Sequence, residues 1–176
     1  MSKKMIGKRR REQLVGWLQS STTPITGAEL ANRSNVSRQV IVQDISLLKA
    51  QNYPIIATSN GYLFLQQDPS PASYRRVIAC KHTPAQTREE LYTIVDHGAS
   101  IEDVIIEHPI YGDLKASLLL DNRMDVDLFV RKIEEEQAPY LLELTDGVHN
   151  HTIVANEEQQ LDKVFEALKQ KGFIVE

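Results

Sequence analysis

Residues 26–45, TGAELANRSNVSRQVIVQDI, decide the fold of the first third of this chain. Thr26 is a candidate helix N-cap, and Glu29 three positions later completes a capping-box pattern. A short helix is therefore predicted over 27–33, followed by a tight turn and a second helix that begins after Ser37. Two short helices joined by a tight turn predict a helix-turn-helix motif.

The sequence on either side extends this motif. Apolar residues recur at helical spacing over 8–19, which predicts a preceding helix. Residues 53–65 predict two strands around the turn Asn60-Gly61. Together these elements predict a winged helix-turn-helix, a fold that binds DNA. The alternative is an ordinary three-helix domain whose polar residues are simply solvated.

The charge distribution supports two modules with different partners. Residues 1–67 contain nine basic and three acidic residues, a net charge of +6, whereas residues 68–176 contain 11 basic and 21 acidic residues, a net charge of −10. A basic module suits a polyanion such as DNA. The charge changes at a segment rich in proline and serine, which is typical of a linker. We predict a DNA-binding domain over 1–67, a linker over 68–74 and a second domain over 75–176.

The winged helix-turn-helix also predicts which residues contact DNA. The second helix of such a motif lies in the major groove, so Ser37 begins the predicted recognition surface. The side chains predicted to reach base edges are Arg38, Gln39 and Gln43. The wing and the basic start are predicted to hold phosphates, through Arg9, Arg10, Arg11 and Asn60.

The second domain alternates predicted strands and helices. Strands are predicted over 74–81, 101–111, 112–120, 140–144, 148–155 and 173–175, and helices from Thr83 to His97, over 123–137 and over 157–171. The strands 140–144 and 148–155 are predicted to form a hairpin. The fold class predicted for the chain is α+β, with a winged helix-turn-helix domain followed by an α+β domain that has a mixed sheet.

Four residues of this domain form a candidate metal site. His149 and His151 are two apart on a predicted strand, so both side chains project from one face. His82 ends another strand, and Glu90 lies on the buried side of the next helix. Imidazole and carboxylate donors suit zinc, nickel, iron or manganese better than calcium or magnesium. The alternative is two exposed strand histidines and a surface glutamate.

Three other reactive side chains have simpler interpretations. His97 is predicted to end a helix and to be structural. His108 either lines a ligand pocket or shapes a bend between strands. Cys80 is expected to be core filler. A single cysteine fits a reducing compartment, and no apolar run approaches the roughly 18 residues of a membrane span, so we expect a cytoplasmic protein with no membrane partner.

Three segments, together with Glu90, resemble a known family. They are Lys81-His82-Thr83, His108-Pro109-Ile110-Tyr111-Gly112 and the stretch DGVHNHTI at 146–153. Together they resemble the three-histidine, or 3H, domain, and residues 26–45 resemble the DNA-binding domain of biotin-repressor-type regulators. This combination is typical of the niacin-responsive transcriptional repressors of NAD biosynthesis in bacteria, and the resemblance covers about residues 6–176.

The resemblance implies a cytoplasmic homodimeric repressor that is not an enzyme. Its partners would be double-stranded operator DNA of NAD biosynthesis or niacin uptake genes, and nicotinic acid or a related pyridine as co-repressor. It also implies a divalent transition metal, nickel or zinc, held by His82, Glu90, His149 and His151. We take His108 and Tyr111 as candidates for holding the effector.

Two other functions stay open. One is a metal-dependent hydrolase-like enzyme with a DNA-binding appendage, because a three-histidine site with an open position can activate water. Against it, the use of Glu90 as a ligand leaves no evident general base. The other is a regulator that senses a different small molecule.

Overall fold

The computed structural model of the chain describes residues 7–65 and 73–175. The chain divides into two compact units, Met1–Asp68 and Pro69–Glu176. Residues 68–72 of the linker predicted over 68–74 lie outside the described residues, whereas Tyr74 already belongs to the first strand of the second unit. The two units are described in turn.

Three helices form the framework of the N-terminal unit. They are α1 (Gly7–Gln19), α2 (Gly27–Ser34) and α3 (Arg38–Ala50). Thr26 caps α2 as predicted, because its hydroxyl accepts a hydrogen bond from the backbone N–H of Glu29 at 3.1 Å. The α2 helix ends at Asn35 in the left-handed conformation common at helix ends, with φ of 51°. The most deeply buried side chains between the helices include Leu14, Leu30, Ile41 and Ile45.

The predicted wing is present as a hairpin of β1 (Ile55–Thr58) and β2 (Gly61–Phe64). Tyr62 and Ile25 exchange two backbone hydrogen bonds of 2.8 and 2.9 Å. Gly61 permits this contact, because its φ is 129° and a Cβ atom there would lie 2.4 Å from the carbonyl oxygen of Ile25. The wing is thereby fixed to the segment before α2, and the winged helix-turn-helix architecture is confirmed.

The C-terminal unit is built on a four-stranded sheet. Its strands are β3 (Tyr74–Lys81), β4 (Ser100–His108), β5 (Gly112–Leu120) and β6 (Val148–Ala155), and its helices are α4 (Thr87–Asp96), α5 (Arg123–Glu136) and α6 (Glu158–Gln170). The sheet order is β3-β6-β4-β5, and every pair of neighbours is antiparallel. The α+β class is confirmed, but the predicted mixed sheet is wrong. The strands β3 and β4 run parallel to each other, yet β6 lies between them, so they never pair.

The hairpin predicted from strands 140–144 and 148–155 is also wrong. Residues Leu141–Thr145 form a short 3₁₀ helix instead, while β6 pairs with β3 and β4. The Glu143 carboxylate accepts a hydrogen bond of 2.7 Å from the backbone N–H of Tyr140 and closes this turn. A short apolar run has no periodicity that separates strand from helix, and here the local cap decides.

The core of the C-terminal unit lies between the sheet and the helices. The strands contribute Ile78, Ile101, Leu120 and Ile153, and the helices contribute Leu91, Ile94, Val126, Leu161 and Val164. The predicted closing strand over 173–175 is reduced to one isolated bridge between Ile174 and Cys80. Among the described residues, no helix combines the length and apolar character needed to cross a membrane.

Candidate metal centre and nucleic-acid interface

The fold brings the four predicted metal ligands together in the C-terminal unit. His82 directly follows β3, Glu90 lies in α4, and His149 and His151 lie on β6. Because β3 pairs with β6, Cys80 lies opposite His149, two residues from His82. Each of the four predicted ligands is at most 7% exposed, and Glu90 is fully buried. The alternative of exposed strand histidines and a surface glutamate is therefore wrong.

The Glu90 carboxylate is the centre of this cluster. Its Oε2 atom lies 2.6 Å from His82 Nε2 and 3.4 Å from His151 Nε2. Its Oε1 atom lies 3.1 Å from His149 Nε2. Three imidazoles thus present the same ring nitrogen to one buried carboxylate.

The other ring nitrogen of each histidine contacts a backbone carbonyl. His82 Nδ1 lies 2.8 Å from the Thr83 oxygen, His149 Nδ1 lies 2.9 Å from the Gly147 oxygen, and His151 Nδ1 lies 2.8 Å from the Asp103 oxygen. A carbonyl oxygen can only accept, so each Nδ1 carries the proton. In a neutral imidazole the Nε2 lone pair then faces Glu90, and two acceptors cannot bond to each other. The cluster therefore calls for positive charge at these atoms, which either a bound metal cation or protons on the imidazoles can supply.

The electrostatics of the cluster agree with this conclusion. Burial favours the neutral carboxylic acid, but the three imidazoles outweigh it and hold the pKa of Glu90 well below its usual range. Burial likewise favours neutral imidazole, yet the Glu90 carboxylate raises the pKa of both His82 and His151. Positive charge beside Glu90 is thus stabilised, as a cation site requires.

Cys80 also contacts the cluster. Its sulfur and ligand atoms of Glu90 and His149 all lie within 4.8 Å of one another. Burial, followed by the Glu90 charge, raises the pKa of the Cys80 thiol, which favours the protonated sulfur in the absence of a metal. The thiolate is the form that binds metals, so Cys80 would have to lose this proton to act as a further ligand.

A cavity of about 180 Å³ adjoins the cluster. Glu90, His149 and His151 line one side of it. The other walls are mostly apolar and include residues of β4, β5 and α5, with Leu141 and Leu142. No lysine or arginine is among the described residues that line it. The sequence did not predict this cavity, because its walls come from distant segments.

The two predicted effector residues lie elsewhere. Tyr111 is 75% exposed in the β4–β5 turn, and neither it nor His108 lines the cavity. His108 Nδ1 accepts hydrogen bonds from the backbone N–H groups of Ile110 and Tyr111, at 3.2 and 3.3 Å. His108 thus shapes the bend between the strands, which was the alternative interpretation, and the effector assignment of both residues is not supported.

Most of the predicted DNA contacts lie on the surface of the N-terminal unit. Ser37, Arg38, Gln39 and Gln43 at the start of α3 are exposed, as is Arg9, while Asn60 at the wing tip is half-buried. Ser37 has the extended backbone of an N-cap residue, although its side chain makes no capping hydrogen bond. The arrangement leaves the start of α3 open to a groove of DNA.

Arg10 and Arg11 differ from the prediction. The Nε atom of Arg10 lies 2.5 Å from Asp44 Oδ2, and Arg11 Nη1 lies 3.2 Å from Asp44 Oδ1. Arg10 is 8% exposed and Asp44 is 3% exposed. Arg10 therefore joins α1 to α3 inside the domain and is not placed to hold a phosphate, and Arg11 shares the same carboxylate.

The chain matches two family models, a 3H domain over residues 75–176 and an HTH domain over residues 10–63. Among curated proteins it is similar to the transcription repressor NadR of Bacillus subtilis (strain 168), with 50% identity over 98% of this chain and 96% of the relative. It is also similar to the probable transcription repressor NiaR of Thermotoga maritima, with 39% identity over 100% of this chain and 99% of the relative.

Proposed function

The chain belongs to the family of transcription repressors that join a helix-turn-helix domain to a 3H domain, and we propose that it represses genes of NAD biosynthesis or niacin uptake with nicotinic acid as its co-repressor. The observation that carries this proposal is the convergence of three histidine Nε2 atoms on Glu90 beside an apolar cavity. This arrangement gives a DNA-binding chain a place for a small ligand.

The residues at the start of α3 would make the base contacts with DNA. Arg38, Gln39 and Gln43 carry the donors and acceptors that distinguish base pairs in the major groove. Arg9 is exposed on α1 and supplies positive charge for phosphates. The partner is double-stranded operator DNA.

The metal would be nickel or zinc, held by His82, Glu90, His149 and His151. Three imidazoles and a carboxylate are donors that suit a divalent transition metal, and the backbone carbonyls already orient each Nε2 toward it. When bound, the metal supplies a Lewis acid beside the cavity. The protein excludes water from this point, because all four ligands are buried.

The effector fits the cavity by its chemistry. An aromatic ring suits the apolar walls, and a polar group on the ring suits the side formed by the cluster. Nicotinic acid and related pyridines have this division between an apolar ring and polar ends. Its binding represses transcription only if the DNA-competent state binds it more tightly than the other state does.

The protein would act as a cytoplasmic homodimer. A single winged helix reads a short site, and two-fold pairing places two recognition helices in successive major grooves about 34–36 Å apart. We expect the acidic C-terminal unit to provide most of the dimer contact. Sedimentation of the full chain at tens of micromolar should give the mass of a dimer.

Operator binding with and without the effector tests the proposed function. The probe is a DNA fragment from upstream of the protein's own gene, titrated with metal-loaded and metal-stripped protein. Nicotinic acid should tighten binding of the metal-loaded protein and should have no effect on the stripped protein. Equal binding with and without nicotinic acid would show that the chain is not a niacin-responsive repressor.

A further inference from the structure

Thr87 is the buried polar residue of the cavity wall that the metal cluster does not use. It lies in the first turn of α4, is 5% exposed, and lines the cavity together with Glu90. Its hydroxyl oxygen has no hydrogen-bond partner among the described residues. Buried hydroxyls normally have partners, so an unsatisfied one beside a cavity requires an explanation.

The geometry places Thr87 at the right distance from the cluster. Residues three apart on a helix share a face, with Cβ atoms about 5–6 Å apart, so Thr87 lies one turn from Glu90 on the same side. A single six-membered ring with one substituent spans such a distance. One polar end of a ring ligand would then meet the cluster, and the other would lie beside Thr87.

The remaining polar atoms on this side of the cavity are already engaged. Glu90 faces three imidazoles, and the Nδ1 atoms of His149 and His151 contact backbone carbonyls. The aliphatic walls offer no side-chain hydrogen bonds, and neither lysine nor arginine is among the lining residues that the structure describes. Tyr140 is the other lining residue with a hydroxyl, and it is only half-buried. A carboxylate or carboxamide on the ring therefore needs a donor, and Thr87 has one to give.

We propose that the Thr87 hydroxyl donates a hydrogen bond to the carboxyl or carboxamide group of a planar ring ligand in this cavity and so decides which ring substituents are accepted. This inference rests on the proposed function for the identity of the ring. Threonine in a helix occupies two side-chain rotamers, and rotation between them exchanges the enclosed hydroxyl with the methyl group. Ligand binding satisfies a hydroxyl that is otherwise unpaired.

The test is calorimetric titration of the metal-loaded full chain with nicotinic acid, nicotinamide and unsubstituted pyridine. Thr87→Val keeps the shape and removes the hydroxyl, and it should weaken binding of nicotinic acid about tenfold or more while leaving pyridine binding unchanged. Thr87→Ser retains the donor and should stay within about threefold of wild type. Metal content should be the same in all three proteins.

Thr93→Val is the matched control. Thr93 lies on the same helix and is also 5% exposed, but its hydroxyl donates to the Glu89 carbonyl at 2.7 Å. It does not line the cavity, so its loss should leave binding of all three probes unchanged.

The possible failures are distinguishable. Unchanged nicotinic acid affinity in Thr87→Val, or equal weakening of pyridine and nicotinic acid, overturns the role of Thr87 and leaves the proposed function standing. Binding of nicotinamide but not nicotinic acid, with the same dependence on Thr87, supports the role of Thr87 and overturns the proposed effector. Binding of none of the probes to the wild type overturns both.

Discussion

Each unit of this protein contains one buried carboxylate held by several basic side chains, and the partners differ in kind. In the N-terminal unit Asp44 faces Arg10 and Arg11. In the C-terminal unit Glu90 faces His82, His149 and His151. The two clusters have the same arrangement, a buried carboxylate surrounded by basic side chains, but the chemistry of those side chains suits them to different roles.

Arginine and histidine explain the difference. Guanidinium is always charged and has no lone pair to offer a metal, so Asp44 and its partners form a permanent ion pair between α1 and α3. A neutral imidazole, unlike guanidinium, has a lone pair on one nitrogen, so the histidines of the Glu90 cluster can bind a cation. We expect the Asp44 cluster to govern the stability of the N-terminal unit and the Glu90 cluster to govern metal binding. A change in one cluster should leave the property governed by the other unchanged.

The largest effect is expected from Asp44→Ala. Removing one partner of a buried ion pair leaves buried charge uncompensated, which costs about 3–5 kcal/mol of unfolding free energy. Trp17 is the single tryptophan and packs against the core of the N-terminal unit, so urea denaturation followed by its fluorescence reports on this unit. The variant should lose operator binding and keep its metal.

Glu29→Ala is the control for that experiment. Glu29 pairs with Arg33 on the same unit, but both side chains are exposed, so the expected loss is at most about 0.5 kcal/mol. Equal denaturation midpoints for the two variants would show that the buried pair is not what stabilises this unit.

The next effect is the loss of metal from His149→Ala. Removing a direct ligand should weaken nickel or zinc binding by more than the roughly 10–100-fold typical of outer contacts. His97→Ala is the control, because His97 lies at the end of α4 and its Nδ1 contacts the Thr93 carbonyl. Metal analysis of the purified proteins should show the loss in His149→Ala and not in His97→Ala. The Trp17 transition, which reports on the N-terminal unit, should be unchanged in both variants. Full metal content in His149→Ala would remove His149 from the site.

A smaller effect on the metal is expected from Gly147→Ala. Gly147 has φ of 90°, and a Cβ atom there would lie 2.5 Å from the carbonyl oxygen of His82. Its own carbonyl accepts from His149, so a shift moves two ligands at once. We expect metal affinity about 10–100-fold lower, as for other residues that orient ligands.

Gly112→Ala is the control for this glycine. Gly112 also has a positive φ, of 70°, but nothing lies within 4 Å of an added Cβ atom, so both variants place a side chain at positive φ and only Gly147→Ala carries the clash. Equal metal affinities in the two variants would show that the contact between residue 147 and the His82 carbonyl does not hold the site in place. Gly61, against the Ile25 carbonyl, is the corresponding position in the wing.

Local sequence signals, namely caps and turns, were sufficient to predict the fold of the N-terminal unit. The Thr26 cap, the Asn35 turn and the Asn60-Gly61 hairpin each depend on neighbours within four residues, and the structure contains all three. Asp44 was counted only as an acidic residue, because nothing in the nearby sequence shows that an arginine 34 positions earlier reaches it.

The candidate metal site of the C-terminal unit could be predicted from the sequence only in part. Strand periodicity placed His149 and His151 on one face, and the helix predicted from Thr83 to His97 contained Glu90. The pairing of β3 with β6 joins residues about 70 positions apart, and no local pattern encodes it. The cavity depends on that pairing and on the 3₁₀ helix Leu141–Thr145, and so it followed only from the structure.

The smallest effect is expected from Arg38→Ala, which touches neither cluster. Arg38 is exposed at the start of α3, so its loss should leave the Trp17 transition and the metal content unchanged. If Arg38 reads a base, operator binding should weaken by about 1–3 kcal/mol while binding to random DNA changes little. Arg9→Ala is the comparison, because a phosphate contact weakens both kinds of DNA alike and lowers the salt slope by about one. Equal weakening on operator and random DNA in Arg38→Ala would assign Arg38 to the phosphate backbone and leave base reading to Gln39 and Gln43.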